Sequence, residues 1–282
     1  MITTYLEIKN FKNKELSLVD EKIKEILFSM PTELNSYFNK FLFENSKRLR
    51  PLFIFFVCDL LDLKIDEDIL NLSASIELLH SASLIHDDIL DDATIRRNQN
   101  CLHIEKENKM AVLAGDYLLS LSMKFLSKIN SNILDLMSEL SYIMTKSEMS
   151  ALSKRYEAKN LEDYILNSKE KTASLFLYSL KAIEKIKNIK IKKEIFEFSE
   201  NFALCFQIKD DLNNCLNKDE NKMSSDKKAG IYTLPSILGD DFECGIINKS
   251  DKFLSDLILK TEKLLDGYNS KDNLINLLNL FK

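Results

Sequence analysis

Four carboxylates fall within six residues, at Asp87, Asp88, Asp91 and Asp92, and a second acid-amide run follows at Asp210-Asp211-Leu212-Asn213-Asn214. Aspartates offer hard oxygen ligands, which suit Mg²⁺ carrying a substrate phosphate. Asp87 and Asp91 are four apart and share one helical face, with Asp88 and Asp92 as a neighbouring pair. So many like charges destabilise a helix unless a cation offsets them. A solvated helix end is the plainer reading. It is weakened because Leu78 to His86 runs straight into the cluster, setting its base in a largely apolar wall where an uncompensated carboxylate is costly. In the second run Asp210 and Asn214 share a face, with Asp211 beside them. Gln207 lies one turn before Asp211; its amide can reach a ligand, orient that carboxylate, or make an intrahelical contact.

Acids alone bind metal without accounting for phosphate, so basic partners matter. Lys47-Arg48-Leu49-Arg50 precedes Pro51, and Arg96-Arg97 lies just beyond Asp91. Paired arginines offer rigid forks for diphosphate oxygens, or simply neutralise the acids. Lys171 and Thr172 sit inside an amphipathic stretch, and Lys222 in a polar segment; each Lys taken singly reads as surface charge. The three histidines, His80, His86 and His103, cluster near the acids. A hydrogen-bonded core imidazole is the plainer reading of His80 and His86, and their spacing does not suit a metal site.

These residues need long helices to position them. Among 282 residues there are only five Gly and three Pro, too little punctuation for a sheet-rich fold, so an all-α domain is expected. Helices are expected near 16–28, 32–44, 51–62, 67–91, 107–129, 132–152, 161–186, 191–214 and 251–280, with a polar loop over 215–230. Asp66, Glu67 and Asp68 suit the start of the 67–91 helix, and Pro51 suits a first turn. No boundary is evident, so residues 1–282 read as one domain. A net charge of -5 argues against nucleic-acid binding. The five Cys have no CxxC spacing, which argues against disulfides and a zinc site and for a reducing, cytoplasmic setting. The opening residues do not read as a signal peptide, and the apolar run Leu52 to Cys58 is too short to span a bilayer.

The motifs SKRLRP (46–51), SLIHDDILDDATIRR (83–97), AVLAGDYLL (111–119), KTASLF (171–176), FQIKDDLNN (206–214) and GIYTLP (230–235) together resemble the trans-polyprenyl diphosphate synthases, in family order over nearly the whole chain. The resemblance implies an all-α isoprenoid-synthase fold of about ten or more helices around a deep cavity, usually a homodimer. It implies condensation of isopentenyl diphosphate with an allylic diphosphate, farnesyl or geranylgeranyl, by ionisation, condensation and elimination. The product would supply a quinone side chain. Carried over, Asp87, Asp91 and Asp210 would ligate Mg²⁺, with Asp88, Asp211 and Asn214 supporting. The family uses about three Mg²⁺, which Mn²⁺ can replace. Arg96, Lys171, Thr172, Gln207 and Lys222 would hold the allylic diphosphate, and Lys47, Arg50, His80 and Arg97 isopentenyl diphosphate. The released diphosphate would take the proton, so no dedicated protein base is needed. Electrostatic preorganisation and exclusion of water carry the catalysis.

Some positions depart from the family pattern. Ser46 stands where Gly usually precedes the Lys, Asn98-Gln99-Asn100-Cys101 replaces Gly-x-Pro-Thr, Asn214 replaces a third Asp, and Asn221 the Gly before Lys222. In this family, bulk before the first acid motif caps the product tunnel. Ala82 and Ser83 are small, so the floor is expected deeper, at Ser75, Ile76 or Leu79, or at Met123 or Phe125 on the next helix. That favours a long product, about C30–C40, with a short farnesyl or geranylgeranyl product of up to about C20 as the competitor. A noncatalytic subunit of a heteromeric synthase is the alternative of another class. Transient membrane association would help a lipid product leave.

Overall fold

The computed structural model describes residues 4–27, 32–44, 46–153, 160–216, 233–239 and 248–282. In chain order the helices are α1 (Tyr5–Asn10), α2 (Asn13–Leu27), α3 (Thr32–Asn39), α4 (Leu49–Leu60), α5 (Glu67–Leu90), α6 (Leu102–Leu126), α7 (Ser131–Ser153), α8 (Leu161–Ser168), α9 (Ser174–Lys187), α10 (Lys193–Leu216), α11 (Leu234–Leu238), α12 (Asn248–Lys263) and α13 (Asp272–Asn279). A two-stranded hairpin, β1 (Ile95–Arg96) with β2 (Gln99–Asn100), follows α5. Apart from that short hairpin the described residues are helical, the all-α class expected from composition.

Two compact units divide the chain. The first comprises residues 9–137 and 182–188, and the second 1–8, 138–181 and 189–282. In the first, α5 packs against α2, α4 and α6. It is buried on nearly all sides from Ile69 to Ala82, and α4 is enclosed likewise, with Leu52 to Cys58 in the core. A helix apolar all round belongs inside. No helix among the described residues is long and apolar enough to cross a membrane. Asp66 caps α5, its carboxylate accepting from Ile69 N at 3.3 Å. In the second unit, α10 packs against α8, α11 and α12. Phe198 and Phe202 of α10 join Phe176 and Phe281 in an aromatic cluster, with Phe202 at 5.1–6.2 Å from the other three.

Several elements differ from the sequence expectation. The 32–44 stretch ends in a π turn, Lys40–Glu44, and the 161–186 stretch is interrupted by another, Lys169–Ala173. Such single π turns recur at functional positions. The 107–129 helix starts earlier, at Leu102, with a break at Glu107 (φ 72°). The 251–280 stretch divides into α12 and α13, because Asp266-Gly267 and Asn269-Ser270 favour turns. Of the expected 215–230 loop, the first two residues end α10, and 217–230 lie outside the described residues.

Candidate active site

The first acid cluster occupies the C-terminus of α5, with Asp91 as its C-cap. A helix C-terminus carries partial negative charge, so acids there oppose the macrodipole as well as one another. Cations are what this end requires. Asp88 is buried and accepts from Arg96 Nε on its Oδ1 at 2.8 Å. Burial and the Asp88 carboxylate push the neighbouring Cys101 thiol up to about 12. Asp87 is half-buried and Asp91 exposed. Arg96 is brought into place by the hairpin. Arg97 and Asn98, both with positive φ (52° and 61°), form its two-residue turn, which needs residues tolerating that region. Asn98 therefore suits its position although it departs from the family pattern.

A second cluster lies in the same unit. Arg48 and Glu77 form a buried ion pair at 2.9 Å; removing one partner of such a pair costs about 3–5 kcal/mol. Arg48 Nε also donates to Asp20 at 2.8 Å, and the Ser46 hydroxyl donates to Glu77 at 2.7 Å. Burial alone would raise Glu77, but Arg48, Arg97, Ser46 and Arg50 outweigh it and hold the carboxyl below its ordinary value. His80 is held well below its usual value by burial and by the charges of Arg50, Arg97, Arg96 and Arg48. Arg50 is buried, its guanidinium lowered to about 10 by desolvation. Arg97 donates to the Phe41 carbonyl in the first π turn and lies 4.9 Å over the Phe41 ring. Arg50, His80 and Arg97 are thus drawn together around Glu77, while Lys47 is exposed.

In the other unit, Asp210 is exposed on α10 and Asp211 buried. Asp211 accepts from Tyr164 Oη at 2.8 Å, from Gln207 Nε2 at 3.0 Å and from Leu234 N at 3.1 Å. Burial raises its carboxyl to about 6 despite those donors. Its oxygens join α8, α10 and α11. Thr172 Oγ1 donates to Gln207 Oε1 at 3.1 Å, so the π turn carrying Lys171 and Thr172 is tied to the same network. Lys171 pairs with Glu148 at 2.9 Å. The Asn214 side chain and Lys222 lie outside the described residues.

Of the chain-length positions, Leu79 and Ala82 are buried, Ser83 is half-buried and Met123 exposed. Ser75 and Ser122 share a buried 2.7 Å hydrogen bond between α5 and α6. Sequence reading missed Glu77, Tyr164, Glu148, the Leu234 backbone and the contact of Gly115 with His86. A signal existed for Glu77: it is an isolated acid in an apolar run, one turn before His80. The Asn160–Asp163 capping box likewise marks the start of α8, which carries Tyr164.

A sequence model of the polyprenyl synthetase family matches residues 31–250. The chain belongs to that family. It is 32% identical over 205 residues to solanesyl-diphosphate synthase 2 of Oryza sativa subsp. japonica, covering 68% of this chain and 50% of that one. It is thus aligned to half of that relative's length. It is 28% identical to heptaprenyl diphosphate synthase component 2 of Bacillus subtilis (strain 168), over 80% of this chain and 67% of that one. Its fold matches the crystal structure of a polyprenyl synthase from Caulobacter crescentus CB15, complexed with calcium and isoprenyl diphosphate. The TM-score is 0.87 at 18% identity, covering 100% of this chain and 98% of that one. At that identity the match speaks to the isoprenoid-synthase fold.

Proposed function

We propose that this chain is a Mg²⁺-dependent trans-prenyltransferase that adds isopentenyl diphosphate to an allylic diphosphate, farnesyl or geranylgeranyl. The observation that carries the reading is the concentration of Asp87, Asp88 and Asp91 at the negative end of α5 in a member of this family. Among the described residues no three His, Cys, Asp or Glu side chains converge as a metal cluster, yet the donor chemistry fits, since these are all hard oxygens. By the family resemblance Asp87, Asp91 and Asp210 would hold the ion. When bound, Mg²⁺ supplies the charge that stabilises a departing diphosphate. Asp88 holds Arg96 beside the cluster, Lys171 and Lys222 would bind the allylic diphosphate, and Arg50, Arg97 and neutral His80 would hold isopentenyl diphosphate.

Small Ala82 and Ser83 support a product of about C30–C40, serving as a quinone side chain. Exposure of Ile104, Met110, Val112 and Leu113 on α6 supports a homodimer. The component name of the Bacillus relative favours, as a second reading, a need for another subunit. Unpaired, buried Cys58, Cys101 and Cys205 support a reducing cytoplasmic setting. The test is product analysis with Mg²⁺, labelled isopentenyl diphosphate and farnesyl diphosphate. A ladder ending near about C30–C40 is expected. Termination at about C20 overturns the chain length, and no product from folded protein overturns activity of the chain by itself.

A further inference from the structure

The segment before α4 alternates inward and outward. Ser46 is buried, Lys47 exposed, Arg48 buried, and Arg50 buried in the first turn of the helix. Arg48 sits at φ 54°, a conformation that residues with a Cβ rarely adopt. Its side chain is fixed from three directions. Nε donates to Asp20 at 2.8 Å, and Nη1 donates to Glu77 at 2.9 Å and to the Ser46 hydroxyl at 3.1 Å. Ser46 closes the ring by donating to Glu77 at 2.7 Å, while its oxygen accepts from Arg48 N at 3.4 Å. A glycine here would leave Glu77 one donor short and the segment one tether short.

We propose that Ser46 and Glu77 are positioning residues that hold the Lys47–Arg50 segment for the diphosphate of isopentenyl diphosphate. This rests on the prenyltransferase reading above. Glu77 stands three residues before His80 on the same face of α5, so the carboxylate that holds Arg48 and the imidazole share one helix face. Its negative charge sits amid Arg48, Arg50 and Arg97 and relieves the repulsion among them. Ser46 replaces the backbone freedom of a glycine with a hydroxyl tether.

The test is steady-state kinetics of the full chain with Mg²⁺, varying isopentenyl diphosphate and farnesyl diphosphate separately. Ser46→Ala is expected to raise KM for isopentenyl diphosphate about five- to tenfold, as loss of uniform binding does. The farnesyl diphosphate KM should stay within about twofold and kcat should hold. Ser46→Thr, which keeps the hydroxyl, restores the lower KM, and Glu77→Gln reproduces the selective rise. Unchanged constants, an equal rise in both KM values, or failure of Ser46→Thr to rescue overturns the inference while leaving the prenyltransferase reading intact. No product from the wild-type chain instead overturns that reading and the inference with it. Should Glu77→Gln fail to fold, the two Ser46 variants decide the matter alone.

Discussion

The Tyr164 hydroxyl donates to Asp211 Oδ2 at 2.8 Å, joining α8 to the acidic end of α10. Leu234 N donates to the same oxygen at 3.1 Å, so one buried carboxylate fastens three helices. Tyr164→Phe removes one donor and leaves the others. A stability loss of about 1–3 kcal/mol is expected, the cost of under-satisfying a buried acceptor. Urea denaturation measures it, and an unchanged midpoint and slope would show the hydroxyl to be dispensable.

Asp210 differs from its neighbour by being exposed. Asp210→Ala and Asp87→Ala are each expected to lower turnover by about 100-fold or more without loss of the helical circular-dichroism signal. Wild-type rates in either variant would remove that carboxylate from the proposed metal site.

Gly115 belongs to a close approach rather than to a turn. A Cβ at this position would lie 2.2 Å from His86 Nε2, and that imidazole sits 3.3 Å from the Val112 carbonyl and 3.5 Å from Asp116. Gly115→Ala must displace the ring of half-exposed His86, a cost partly offset by the roughly 1 kcal/mol that Ala gains over Gly inside a helix, so a net loss of at most about 1–2 kcal/mol is expected. The cost should vanish in a His86→Ala background. Additive losses in a thermal double-mutant cycle would assign the glycine another role.

His80 bears on pH. Burial and the surrounding arginines keep its folded pKa well below the ordinary value, whereas the unfolded imidazole takes a proton near pH 6.5. The unfolded state then binds more protons as pH falls. Stability is therefore lost on acidification below about 6.5, by at most about 1.4 kcal/mol per pH unit, until the folded pKa is reached. His80→Gln should flatten the profile between pH 7 and 5. Parallel wild-type and variant curves would mean that other groups set the acid limb.

Fold class and acid-bearing helix ends were legible in the chain itself. Apolar periodicity located the long helices, and Asp66 marked the start of α5, because these signals depend on neighbours within a turn or two. The family motifs likewise carried the candidate residues. Packing alone decided which of them are buried and what they contact. Asp87 and Asp88, or Asp210 and Asp211, look equivalent in sequence, yet adjacent helical residues point about 100° apart. Contacts from other elements select the buried member: Arg96 of the following hairpin meets Asp88, and Tyr164 and Leu234 from more distant segments meet Asp211. Glu77 reads as a stray acid until Arg48 and Ser46, 29 and 31 residues away, close on it. A local pattern sets which residues share a helix face. Only the folded chain determines which face loses its water and which charges must find a partner.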